Sequence, residues 1–247
     1  MEVRAGKQRI YNLFQWVWQA VKITLIGIFI FSSIYAATHI KLSSYFPIKK
    51  VQVFGVNRVQ QEEVQALVLP LVKHGFFAVN VDTIRDRLVQ LPWIATTFVR
   101  RAWPDQIEIT LIEKVPVASW NEQSLLSEAG VLFTPKQDTY PPNLAAFVGP
   151  DGKQIDMLQN FYEMNRILSP LHARISYLEL SPFSTWKLTL TNGITLQMGH
   201  KDVLTRLGHF VRVYPKIIGS REGDVEYIDL RYSNGVAVRW KNKDVEK

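Results

Sequence analysis

Cysteine is absent from the 247 residues. That excludes structural disulfides, thiol catalysis and thiolate zinc sites together. Acidic residues are outnumbered, 22 Asp+Glu against 29 Lys+Arg, for a formal charge of +7. The excess is poorly placed for nucleic acid. Residues 1–41 carry Arg4, Lys7, Arg9, Lys22 and Lys41 against Glu2, a local net of +4 that leaves +3 for the other 206 residues. A nucleic-acid binder holds its excess charge on the folded surface, so that partner is disfavoured. Charged residues are only 21% of the chain and apolar ones 47%, proportions that exclude wholesale disorder. Low-complexity stretches and internal repeats are missing too.

Catalytic and metal-binding signatures are equally scarce. No H-E-x-x-H, G-x-S-x-G or P-loop pattern occurs. The histidines are His39, His74, His172, His200 and His209, and the last pair is off helical register for a shared face. His200 followed by Asp202 reads better as a solvated helix start than as a metal or catalytic pair. Glu62, Glu63 and Glu108 read as solvated faces, and Gly149-Pro150-Asp151-Gly152 lacks the Lys-Ser/Thr of a phosphate cradle. No catalytic residue, metal or cofactor is assigned.

What is present begins with an apolar run. Ile23 to Ile40 is 18 residues without Lys, Arg, Asp or Glu. As a helix it is about 27 Å long, close to the ~30 Å hydrocarbon core of a bilayer. Leu13 to Val21 extends the run, Lys22 can snorkel, and Trp16, Trp18 and Tyr35 suit the interfaces. A buried soluble helix is the bland alternative, disfavoured because the run lacks the polar stripe of an amphipathic helix. A cleaved signal peptide is the sharper alternative, with Arg4, Lys7 and Arg9 as its basic region. However, Ile34 and Tyr35 occupy the −3 positions for cuts after Ala36 and Ala37, so an uncleaved anchor is preferred. Four bases lie on either side (Arg4, Lys7, Arg9, Lys22; Lys41, Lys49, Lys50, Arg58), so charge alone does not orient the span.

Two small modules follow, giving an α+β chain. The expected boundaries are a tail 1–22, a span 23–40, a β-α-α-β-β module 48–116 and a mixed, mainly antiparallel β domain with two helices over 117–247. In the first module, Lys50 to Val56 alternates as a strand. Val64, Leu67, Val68 and Leu71 share one face of a helix over about 61–72. A second helix starts with Asp82 as its cap, turns Ile84, Leu88 and Leu91 inward and ends at Pro92. Strands over 94–103 and 106–113 follow. In the second module, a helix over about 154–168 aligns Met157, Phe161, Met164 and Leu168. Asn192-Gly193 centres a hairpin over 187–198. Val203, Leu207, Phe210 and Tyr214 face inward on a helix from about Asp202 to Tyr214, stopped by Pro215. A last hairpin over 227–240 has Asn234-Gly235 at its tip. Its second strand sets Val236, Val238 and Trp240 on one face and Ala237 and Arg239 on the other. That strand is either a sheet edge, offering free N–H and C=O groups to a partner strand, or an internal strand.

These residues resemble the FtsQ/DivIB family of bacterial cell-division proteins over essentially the whole chain. In the first module the likeness rests on Val53-Phe54-Gly55-Val56, Leu91-Pro92-Trp93-Ile94, Val99-Arg100-Arg101-Ala102-Trp103-Pro104 and Glu113-Lys114-Val115-Pro116-Val117-Ala118-Ser119-Trp120, which are similar to the family's POTRA signatures. In the second it rests on Gly130-Val131-Leu132-Phe133, Trp186-Lys187-Leu188-Thr189-Leu190, Arg206-Leu207 through Tyr214-Pro215 and Tyr227-Ile228-Asp229-Leu230-Arg231-Tyr232. The run Asp229 to Tyr232, closing into Gly235 and Trp240, is the most specific.

The resemblance implies a non-enzymatic divisome scaffold of the inner membrane, amino terminus cytoplasmic and bulk periplasmic, concentrated at the septum. It implies partners too: the last strand would pair with FtsB, which is joined to FtsL. Partner-binding positions carry over to Arg231, Tyr232, Gly235 and Trp240, with Tyr232 and Trp240 as anchors, Gly235 shaping the turn and Arg231 meeting an acidic side chain. Two positions depart from the family: Lys114 replaces an arginine, and Ser184 stands where enterobacterial relatives have an arginine that assists binding. The competing readings are a POTRA-containing secretion chaperone and a periplasmic hydrolase. The first of these usually strings modules together or adds a barrel, whose repeating strand pattern is missing here.

Overall fold

The computed structural model describes residues 2–39, 46–232 and 235–241. Helix α1 runs over Glu2–His39. Its segment Trp16–Tyr35, 20 residues with none buried, is long and apolar enough to cross a membrane. At 1.5 Å per residue it measures about 30 Å. The tail expected before the span is continuous with it as helix. This candidate segment begins ahead of Ile23 and includes Lys22, whose ammonium lies 4.7 Å from the Trp18 ring centre. Ile40, the expected end, lies outside the described residues.

Backbone proximity divides the chain into two compact units, Met1–Gln52 with Gln65–Ile84 and Val99–Ile109, and Val53–Val64 with Arg85–Phe98 and Thr110–Lys247. The first elements after the span are β1 (Lys50–Phe54), α2 (Gln61–Val72), α3 (Val81–Leu88), β2 (Ile94–Ala102) and β3 (Gln106–Glu113), with sheet order β1-β3-β2. This is the β-α-α-β-β arrangement read from the sequence. Val64 and Val68 are buried on α2, Ile84 and Leu88 on α3, and Ile107, Ile109 and Leu111 on alternate positions of β3.

The cap of α3 differs from expectation. Asn80, not Asp82, closes the helix: its Oδ1 accepts the N–H of Asp82 at 3.0 Å and of Thr83 at 3.2 Å. A capping side chain must sit before the first turn to reach these orphan donors. Asp82 falls inside that turn, where its charge complements the helix dipole.

The turn after β1 is held from the far end of β3. The Glu113 carboxylate accepts the backbone N–H groups of Asn57, Arg58 and Val59 at 2.9, 2.9 and 3.1 Å. Gly55, at φ +81°, has to be glycine, since a Cβ there would run into the Leu111 carbonyl. Lys114 donates to the carbonyls of Pro92 and Ile94, both at 2.7 Å, and burial pushes its pKa down.

The remaining strands are β4 (Pro116–Trp120), β5 (Ser124–Ser127), β6 (Leu132–Phe133), β7 (Ala145–Val148), β8 (Ile175–Leu180), β9 (Trp186–Leu190), β10 (Thr195–Gly199), β11 (Val225–Asp229) and β12 (Ala237–Trp240). They form one sheet in the order β12-β11-β10-β9-β8-β7-β4-β5-β6. Helix α4 (Gln154–Leu168) joins the parallel pair β7 and β8, and α5 (Val203–Ile217) joins the parallel pair β10 and β11. A parallel pair needs such a crossover, and a helix supplies it. β4 and β7 are also parallel, and the other pairings are antiparallel. Met157, Met164 and Leu168 of α4 and Leu207, Phe210 and Tyr214 of α5 are buried in the core.

Helix α5 runs past its expected stop. Pro215 lies inside it, and the helix continues to Ile217. Proline forfeits only its own N–H bond and disturbs the preceding turn. The ladder resumes at once, since the Ile218 N–H reaches the Tyr214 carbonyl at 2.9 Å. Ile218 is itself buried, extending the Leu207, Phe210 and Tyr214 stripe by another turn. Core burial outweighs the local break. Asp202 precedes the helix at φ 52° with no side-chain cap bond, so its role there is through the backbone alone.

Candidate functional site

Among the described residues the last strand is a sheet edge. β12 pairs with β11 in antiparallel register, Asp229 opposite Ala237, Ile228 opposite Val238 and Tyr227 opposite Arg239. On its other side no strand lies among the described residues. Val236, Val238 and Trp240 pack against the core while Gly235, Ala237 and Arg239 are exposed, which is the expected alternation. The tip residue Asn234 lies outside the described residues.

The end of the strand and the connection that leads into it are both pinned. At its end the Lys241 N–H donates to the Asp224 carbonyl at 2.7 Å and the Lys241 ammonium to that of Gly223 at 2.9 Å. The Arg221 guanidinium lies 4.1 Å from the centre of the Trp240 ring. In the connection, Arg206 of α5 donates from Nη1 to the carbonyls of Leu230 at 3.3 Å and Arg231 at 2.9 Å. Next to it, Asp229 binds Arg231 through both carboxylate oxygens, with Nη2 at 2.6 Å and Nε at 3.0 Å, and it also accepts the Arg231 N–H at 2.9 Å. The guanidinium beside Asp229 holds its carboxyl below the usual carboxylate range, against the opposing effect of burial. Gly199, at φ +75°, leaves room for the Arg231 stem, whose Cγ would stand 3.3 Å from a Cβ there.

A groove of about 470 Å³ opens beside the start of β12. Its walls include Arg206, His209 and Arg212 of α5, facing Leu230, Tyr232 and Gly235. Tyr232 is 62% exposed, and a Cβ on Gly235 would meet no atom within 4 Å. The structure thus brings Tyr232 and Gly235 to one groove and leaves Trp240 at the opposite end of the strand, about 17 Å of extended chain away. Arg231 is engaged by Asp229 and is not among the residues that line the groove. The four residues are strung along an edge rather than gathered in a pocket. Ser184 occupies the turn between β8 and β9 at φ 59°, its N–H bonded to the Ser181 carbonyl, and does not line the groove.

The sequence assigns no binding role to Arg206, His209 or Arg212. Their signal was the i, i+3, i+6 spacing of three basic side chains on the polar side of an amphipathic helix, a pattern that also describes an ordinary solvated face.

Comparison with known proteins identifies the fold. Residues 46–114 match the POTRA domain, FtsQ-type, and residues 118–231 match the C-terminal domain of cell division protein FtsQ/DivIB. Cell division protein FtsQ of Coxiella burnetii is 34% identical over 197 residues, 79% of this chain and 81% of that protein. The chain belongs to the FtsQ/DivIB family. Cell division protein FtsQ of Escherichia coli is 33% identical over 78% of this chain and 73% of its own length, and that of Xanthomonas campestris 34% over 81% and 72%. This FtsQ/DivIB member is accordingly a cell-division protein with a POTRA module, and its apolar first helix fits a single-pass membrane protein. The match to the C-terminal family domain ends at Arg231, so the edge strand is placed by the sheet itself.

Proposed function

We propose that this protein is a bitopic, non-enzymatic scaffold of the inner-membrane division machinery, with its amino terminus in the cytoplasm and residues 46–247 in the periplasm. It acts at the septum by linking early and late division proteins. The partner is FtsB, joined to FtsL, and FtsB contributes a strand to the outer side of β12. The observation that carries this reading is the edge position of β12, unpaired among the described residues on its outer side. Backbone hydrogen bonds along an added strand supply affinity, and side chains at its ends supply specificity. Tyr232 is the exposed anchor, and Trp240 is the anchor held in place by Arg221. Arg206, His209 and Arg212 favour acidic side chains in the segment that enters the groove.

The test is binding of the full-length, detergent-solubilised protein to a periplasmic FtsB peptide, for wild type, Tyr232→Ala and Trp240→Ala, with Leu13→Ala as a remote control. Loss of a large anchor commonly costs at least about 2 kcal/mol, roughly thirtyfold in affinity. Weakening of that size in folded protein, with the control unchanged, supports the edge as the recruiting surface. Binding that neither change affects puts the contact elsewhere, and no wild-type binding at all removes this partner.

A further inference from the structure

An aromatic cluster lies at the membrane-tethered end of the first module. Phe46, Phe76, Phe77 and Trp103 come from three separate stretches of one compact unit, yet their rings meet. Phe46 and Phe77 pack edge to face at 5.1 Å between centroids, and Trp103 lies 5.9 Å from Phe46, 5.7 Å from Phe76 and 6.3 Å from Phe77. The Phe76 N–H donates to the Phe46 carbonyl at 2.8 Å, locking the incoming chain to the cluster. Phe76 is buried, but Trp103 is 65% exposed and Phe77 49%. A fold with a core to fill had no need to leave a tryptophan and a phenylalanine side by side in water.

Among the charged residues that adjoin the cluster in the chain, lysine is left over. Lys49 pairs with Asp105 at 3.4 Å, and the N–H groups of Lys49 and Lys50 both reach the Asp105 carbonyl, two residues after Trp103. Lys50 and Lys73 have no ion pair among the described residues. Lys73 follows α2 and precedes Phe76 by three residues. Exposed aromatic rings beside uncompensated lysines match an interfacial surface, where rings sit at headgroup level and ammonium groups meet anionic lipid.

Chain length brings that surface within reach. Helix α1 is described to His39, and Phe46 follows seven residues later. Seven residues span at most about 25 Å. Such a tether raises the effective concentration of the module at the bilayer to the order of millimolar, so even a weak interfacial contact is well populated. We propose that the Phe77–Trp103 face, flanked by Lys50 and Lys73, docks on the anionic lipid surface of the bilayer that the chain's own helix crosses. The inference rests on the membrane span and on neither its orientation nor FtsB. Docking fixes the angle at which the module rises from the membrane.

The absence of cysteine makes the test direct. The full chain carrying Ala78→Cys, labelled with an environment-sensitive fluorophore, is reconstituted into phosphatidylcholine vesicles with and without phosphatidylglycerol, without any other protein. Gln159→Cys, on an exposed position of α4, is the control. The expected result is a blue-shifted probe at position 78, quenched by headgroup-proximal doxyl lipid and more strongly with phosphatidylglycerol, while the probe at 159 stays in water. Phe77→Ser with Trp103→Ser abolishes the quenching. Lys50→Glu with Lys73→Glu, which touches no core residue and guards against a folding artefact, weakens the docking equilibrium by about fivefold or more per lysine on anionic vesicles. The proposal is overturned if the probe at 78 is as solvated as that at 159 in both vesicles, or if quenching survives both double variants. Each of these results leaves the FtsB reading intact, since no partner is needed for the measurement.

Discussion

Asp229 and Arg231, two residues apart, form an ion pair with one half inside the protein and the other outside: the carboxylate side chain is 8% exposed and the guanidinium 57%. The pair ends β11 and starts the connection to the edge strand, so it couples the stability of the sheet to the shape of that edge. Arginine has five N–H donors, and Asp229 engages only two nitrogens. Donors remain for an acidic partner side chain without breaking the internal pair.

The pair has a defined pH signature. The carboxyl of Asp229 is lowered in the folded protein from an ordinary value of 3.8. A group with a depressed folded pKa contributes stability above its unfolded pKa and loses it as pH falls through the folded one. Wild type should therefore exceed Asp229→Asn in stability by a constant margin at neutral pH. That margin should shrink below pH 3.8. Chemical denaturation at a series of pH values measures it, and a margin that peaks in acid refutes the assignment.

Tyr232 and Trp240 should separate binding from folding. Tyr232 is exposed, so Tyr232→Ala should leave the melting temperature unchanged while weakening FtsB binding by about thirtyfold. Trp240 packs on the core and carries the Arg221 guanidinium, so Trp240→Ala should also destabilise the fold by about 1–3 kcal/mol. Calorimetry beside a titration distinguishes the two.

Alternate amides of an edge strand point to opposite sides. Of Val238→Pro and Arg239→Pro, one removes an N–H bonded to β11 and the other an N–H aimed at the incoming strand. The expected pattern is one destabilised protein and one that folds well but binds poorly. Two folded variants with unchanged affinity would count against strand addition.

Glu113 holds three backbone N–H groups, and Gly55 leaves space for the Leu111 carbonyl. Glu113→Ala should cost about 1–2 kcal/mol, because water replaces only part of a charge-assisted network. Gly55→Ala should cost more, since positive φ and a backbone collision add. Both losses should appear in the melting temperature of the full chain.

Sequence reading recovered elements whose cause is local. The bounds of α2, α4 and β3 follow from apolar spacing that repeats within a dozen residues, and Asn192-Gly193 marked a hairpin because its turn needs a positive φ, found at Gly193 as +86°. It erred where two local signals competed. Asp82 and Asn80 are both capping residues, and only the backbone path chose between them. Pro215 reads as a helix end, yet Ile218 had apolar surface to bury beyond it.

The candidate site divides in the same way. Arg231, Tyr232, Gly235 and Trp240 were named through family resemblance, and the alternation of Val236, Val238 and Trp240 was visible in the strand itself. Whether that strand was internal or an edge was undecidable from its own residues, because an edge is defined by the absence of a distant neighbour.

By itself the sequence determined the apolar helix, the basic tail, the amphipathic faces and the alternating strands. All of these follow from side-chain chemistry repeated at the period of one element. Tertiary structure alone decided the outermost position of β12 among the described strands, the parallel pairings bridged by α4 and α5, the cationic groove against Tyr232 and the meeting of Phe46, Phe77 and Trp103. Each depends on residues tens of positions apart, and their juxtaposition is set by how whole elements pack, which no local period encodes.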